Sequence, residues 1–138
     1  MSALGCISSC VNRTEKEYDY SDFEDCFISW ENALNCAESQ YFVYIFSKTC
    51  HACKEIKNDV LNYAAREKYS FYFVEYSNEI PSGEDIDQTI GAKYIKDVYI
   101  RGIPSLLEIE NGQVALNIAG TTEILKFLNR ISYANIWI

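Results

Sequence analysis

The sequence predicts an α/β fold, a central mixed β-sheet with helices on both faces in three α/β/α layers, and three observations predict it. Two apolar runs of strand length, "YFVYIFS" at 41–47 and "SFYFVEY" at 70–76, are separated by a segment with helical spacing, the pattern of a parallel βαβ unit. Two further runs flank Asn111-Gly112, the dipeptide of a type I′ hairpin, and should pair antiparallel. An amphipathic segment then closes the chain.

Residues 1–20 mix small, polar and charged residues without periodicity and read as an irregular N-terminal arm, with the folded domain over 21–138. In "SDFEDCFISWENALNCAES", Phe23, Cys26, Phe27, Trp30, Ala33 and Leu34 fall at three- and four-residue steps. This predicts an amphipathic helix capped by Ser21 or Asp22, with Cys26 on its buried face. Run 41–47 is continuously apolar and rich in β-formers, as a strand buried on both faces requires. Ile56, Val60, Leu61, Tyr63 and Ala64 give the next helix, opening at or beside Cys50. After strand 70–76, Pro81-Ser82-Gly83 marks a loop, followed by a short helix around Ile86 to Ile95. The closing helix places Ile124, Leu125, Phe127, Leu128 and Ile131 mainly on one side behind a Thr121 or Thr122 cap.

At 138 residues the chain reads as one domain, large enough to bury roughly two thirds of its unfolded surface without disulfide staples. A formal charge of −8, with no block among the twelve basic residues, excludes the phosphate-neutralising surface of a nucleic-acid binder. A monomer is the expected state. No apolar run reaches the roughly 18–20 residues that span a bilayer. The start "MSALGCISSC" resembles the end of a lipoprotein signal but lacks the apolar segment of an export signal. A membrane tether through Cys6 and a flexible arm both stay open, and so does the compartment, cytoplasmic or extracytoplasmic.

The chemistry concentrates in "FSKTCHACKEIK", Phe46 to Lys57. Disulfide exchange needs one thiol that ionises near neutral pH and a second close enough to displace the substrate from the mixed disulfide. Cys50-His51-Ala52-Cys53 at a helix start supplies both, since the first sulfur meets unpaired N–H groups and the positive end of the helix dipole. Cys50 is then the attacking thiol and Cys53 the resolving one. A protonated His51 beside the pair would favour thiolate at Cys50, whereas a solvent-facing His51 would only shape the rim. A zinc site would need two more ligands; Cys6 and Cys10 are remote and no second histidine exists, so no metal is expected. Cys26 reads as a small core residue, and Cys36, roughly 15 Å away along a continuous helix, could not bridge to it.

With these residues in place, the chain from about Ser21 to Ile131 resembles the thioredoxin superfamily. The strand running into Cys50-His51-Ala52-Cys53, the segment "YIRGIPSLLEIENGQVALNIAG" at 99–120 and the closing helix carry the resemblance, and "FSKTCHACKEIK" looks most like thioredoxin-like proteins of low-GC bacteria, some secreted or tethered. The resemblance implies a thioredoxin-like fold and a thiol–disulfide oxidoreductase, reductase-like, acting on protein disulfides or thiols. It implies no bound cofactor and an upstream reductase as a second partner. Pro104 takes the position of the family's cis-proline, with Ile103 before it presenting backbone to an extended substrate. Thr49, at the substrate-facing position before the pair, replaces a frequent tryptophan, and Tyr44 stands where many thioredoxins carry a buried acid. His51 and Ala52 should tune the redox direction. Two alternatives remain: a non-enzymatic binding module using the groove beside Ile103-Pro104, and a metal carrier using Cys50 and Cys53.

Overall fold

The computed structural model describes residues 17–66 and 70–136. Its sheet has four strands in the order β2-β1-β3-β4: β1 Gln40–Phe46, β2 Ser70–Glu75, β3 Ser105–Glu110 and β4 Gln113–Ala119. Helix α1, His51–Arg66, joins β1 to its parallel neighbour β2, while β3 returns antiparallel on the other side of β1. Both central residues of the β3–β4 turn lie in the left-handed region, Asn111 at φ 52° and Gly112 at φ 79°, as a type I′ hairpin requires. Helix α2, Thr121–Ile136, ends the described chain. The expected strands, hairpin and closing helix are therefore present, with one shift: Gly120 (φ 95°) supplies the carbonyl that accepts from Ile124 N at 3.1 Å, so Thr121 and Thr122 lie inside the first turn.

Side chains alternate across the sheet and build two cores. Phe42, Tyr44 and Phe46 of β1 join Phe71, Phe73 and Leu106 under α1 and α2. Tyr41, Val43 and Ile45 join Leu107, Ile109 and Val114 on the opposite face, where Ile80, Val98 and Ile100 cover them.

The expected mixed sheet with helices is present, and the layer on that opposite face takes a different form. Both α-helices pack on one side of the sheet, and the other is closed by loops and 3-10 turns. The helix expected from Ser21 onward is two 3-10 segments, Tyr20–Cys26 and Trp30–Asn32. Sheet pairing interrupts it: Phe27 bridges Phe73 in parallel and Ile28 N donates to Phe73 O at 2.9 Å, which holds Phe27 extended. The three-residue spacing of Phe23 and Cys26 suits a 3-10 turn as well as an α-helix. Its cap is Asp19, paired with Asp22 in a capping box, in place of Ser21 or Asp22. The core accordingly reaches back to Tyr18 and Tyr20, both buried, ahead of the expected boundary at Ser21.

The helix expected over 86–95 is likewise two short 3-10 turns, Ile86–Thr89 and Ile95–Asp97. Gly91 (φ 91°) donates to Val114 O at 2.7 Å and Ala92 O accepts from Val114 N at 3.0 Å, so the edge of β4 competes successfully for the backbone. Buried Asn117 of β4 anchors the same loop, its amide donating to Thr89 Oγ1 (2.9 Å) and Tyr99 O (3.0 Å).

The helix-covered core is a lattice of rings. Phe73 lies within 6.2 Å, centroid to centroid, of Tyr20, Phe23, Phe27, Tyr44, Phe46 and Phe71. Each such pair adds about 0.5–1.5 kcal/mol beyond its buried area. Replacing Phe73 by Ala should therefore cost about 3–5 kcal/mol in urea unfolding at constant m-value, and a loss under about 1 kcal/mol would show that this cluster does not hold the fold.

Candidate active site at the start of the first helix

The site forms where β1 stops. Phe46 ends the strand, and Ser47 to Cys50 make a turn closed by Cys50 N donating to Ser47 O at 3.2 Å. Within it Ser47 Oγ accepts from Thr49 N (3.2 Å) and lies 3.0 Å from Thr49 Oγ1. Cys50 O accepts the first helical bond, from Lys54 N at 3.1 Å, so Cys50 occupies the N-cap position of α1. Its sulfur fills the role a serine or aspartate oxygen plays there: Cys53 N donates to Cys50 Sγ at 3.2 Å. A negative charge on that sulfur would gain both this bond and the helix dipole.

The two thiols are free and differ in environment, Cys50 half-buried and Cys53 only 1 % exposed. Burial, reinforced by the hydrogen bond with Cys50, pushes the Cys53 thiol up to about 12. The pair therefore combines a half-buried thiol with a buried, protonated one.

His51 projects into solvent with 90 % of its side chain exposed, and its Nε2 lies 3.3 Å from Glu55 Oε2 one turn on. The imidazole thus faces a carboxylate at the rim, and Ala52 is half-buried behind it. Thr49 is exposed. Sheet register brings the remaining residues to the same end: Ser105 pairs with Ile45, so Pro104 stands level with the end of β1. The Ile103–Pro104 peptide is cis, Pro104 is buried, and Pro104 O accepts from Gly120 N at 2.9 Å. Ile103 is half-buried and, like Cys50, packs on the helix-covered core.

Beneath the thiols sits Tyr44, fully buried, its hydroxyl without a hydrogen-bond partner among the described residues. Burial raises its pKa, and the nearby charges of Cys53, Tyr20 and Cys50 raise it further. At this position the chain carries a buried, neutral phenol.

Sequence reasoning missed Tyr20, which stacks on Phe46 at 4.2 Å and 16° beside the site. Lys57 holds it there, its Nζ 5.0 Å above the ring and 2.6 Å from Asp19 Oδ1. That bond holds the Asp19 carboxyl below its ordinary value. The only sequence signal was the Asp19-x-x-Asp22 capping spacing.

Cys26 is fully buried and Cys36 half-buried, and no continuous helix joins them. Cys6 and Cys10 lie outside the described residues. Among the described residues no three His, Cys, Asp or Glu side chains form a metal-holding group, and no helix is long and apolar enough to cross a membrane.

No family model and no curated protein sequence matches the chain. Among solved structures it is similar to a thioredoxin of Malassezia sympodialis, with 17% identity, TM-score 0.50, and 75% of this chain and 89% of that chain covered. It is similar also to thioredoxin f2 of Chlamydomonas reinhardtii, with 12% identity, TM-score 0.50, and 75% and 93% covered. The fold is thioredoxin-like.

The difference between the thiols has a direct readout. At about pH 9, iodoacetamide should label Cys50 rapidly in a Cys53→Ser variant and leave Cys53 nearly unlabelled in a Cys50→Ser variant, as followed by peptide mass mapping. Comparable labelling of both would contradict the burial-raised Cys53 thiol.

Proposed function

We propose that the chain is a thiol–disulfide oxidoreductase that reduces protein disulfides through Cys50 and Cys53. The observation that carries this reading is the contrast between a half-buried Cys50 at a helix N-cap and a buried, protonated Cys53 whose N–H points at its sulfur.

In the reaction, Cys50 attacks as thiolate. A Cys50–substrate S–S bond forms, the substrate disulfide breaks, and the first substrate sulfur leaves as thiolate and takes up a proton. Cys53 then loses its proton to water and attacks Cys50 Sγ. The intramolecular disulfide forms, and the second substrate thiol departs. The substrate gains two electrons and two protons, and the Cys50–Cys53 pair loses them.

The high pKa of Cys53 suits this order, because a protonated resolving thiol does not compete until the mixed disulfide is made. Ile103 and Pro104, level with the end of β1, would present backbone to an extended substrate segment, and Thr49 would border it. His51 and Ala52 stand between the thiols as the residues that tune direction, with the solvent-facing His51–Glu55 pair limiting the imidazole's part. Regeneration falls to an upstream reductase.

Wild-type protein should catalyse insulin reduction by dithiothreitol. Cys50→Ser should abolish it, and Cys53→Ser should accumulate mixed disulfides resolved by added thiol. Full activity in Cys50→Ser would sink the proposal. A pair that never exchanges with a glutathione buffer, in a protein that still binds partners without either cysteine, would point instead to a binding module. A reduction potential near about −270 mV would mark a reductase, and one tens of millivolts higher an oxidase or isomerase.

A further inference from the structure

An open cleft of about 380 Å³ borders the cysteine turn. Tyr20 and Ser47 line it together with Lys48, Lys54, Lys57 and Asp19. Three of the chain's twelve basic residues thus meet in one depression of a protein that carries twenty acidic ones. Exposed lysines scattered singly need no function beyond solubility. These three converge, and Ser47, in the cleft wall, is hydrogen-bonded through its carbonyl to Cys50 N.

Asp19 is the cleft's only carboxylate, and Lys57 engages it at 2.6 Å. Lys48 and Lys54 are exposed and have no carboxylate within 4.0 Å among the described residues. Two positive charges without an ion-pair partner among the described residues therefore stand in the cleft beside the cysteine turn, against a formal chain charge of −8. Such a local reversal of sign orients an approaching partner: the rest of the surface repels an acidic segment, and the cleft attracts it, over a range of roughly 8–10 Å.

We propose that this cleft docks acidic residues flanking the substrate disulfide, so that the preferred substrates are proteins whose target cysteines lie beside Asp or Glu. The proposal rests on the oxidoreductase reading and names its substrate class. The cleft selects through encounter and KM, while the thiols perform the exchange.

The test uses the full chain and two pairs of peptides of equal length, one pair flanked by Asp/Glu and the other by Lys/Arg. Within each pair one peptide carries an internal disulfide for turnover, and the other has serine in place of cysteine and a fluorophore for binding. The acidic serine peptide should bind roughly tenfold more tightly than the basic one at low salt, with the gap closing as salt rises, and the acidic disulfide peptide should show the higher kcat/KM. Lys48→Glu with Lys54→Glu should reverse both preferences, and Lys48→Arg with Lys54→Arg should keep them. Lys93→Glu with Lys96→Glu makes the same change in net charge outside the cleft and should also keep them. Asp19→Asn, which frees Lys57, should widen the gap.

Equal binding of the two peptides, or a preference that follows net charge in the Lys93/Lys96 variant, would overturn the docking proposal even if every disulfide is turned over. Acidic-peptide binding that responds to Lys48 and Lys54, without exchange of any disulfide, would support the cleft as a docking site and overturn the oxidoreductase reading.

Discussion

Everything in this molecule hangs on β1 being paired along both edges and buried on both faces. Residues 41–46 are each at most 1 % exposed, β2 lies parallel on one side, and β3 lies antiparallel on the other. A parallel partner reached by one crossover forces α1 to start where β1 ends, and so places the Cys50 turn at the carboxyl edge of the sheet. An antiparallel partner must begin at that same edge, which delivers Ile103 and Pro104 beside it. The cysteine turn and Ile103-Pro104, fifty residues apart in sequence, reach the same edge of the sheet because one strand has these two neighbours.

The same strand sets the polarity of the site. Even-numbered residues of β1 supply Tyr44 and Phe46, and these rings, with Tyr20 stacked on Phe46, make an apolar floor. Burial on that floor keeps Cys53 protonated, and the phenol of Tyr44 introduces no charge there. Above that floor, the side chains of Lys48, Lys54, His51 and Glu55 all face solvent. An apolar underside and a polar rim give the two sulfurs different environments over a single helical turn.

How much could be read in advance follows from which forces are local. Run 41–47 and Asn111-Gly112 announced a buried strand and a hairpin because residue type and backbone demand coincide there. The spacing of Ile56 through Ala64 marked α1, and Cys50, Cys53 and Pro104 stood out by residue type and order. The segments around Phe27 and Gly91 misled, because edge strands β2 and β4 take their backbone hydrogen bonds, a tertiary competition that propensity does not record. Tyr20 and the lysine cleft were hidden for the same reason: only the fold lays residues 18–20 against Phe46 and α1.

The crossing of β1 by distant partners also bears on how the chain is made. β2 follows within about thirty residues, whereas β3 begins about sixty residues after β1 ends. At translation speeds of roughly 5–20 residues per second, the β3-facing edge of a strand made of Tyr, Phe, Val and Ile stays unpaired for several seconds. An uncapped apolar edge is a template for pairing with another nascent chain. The strand that gives the finished protein its order is, on the ribosome, an edge open to pairing with other chains.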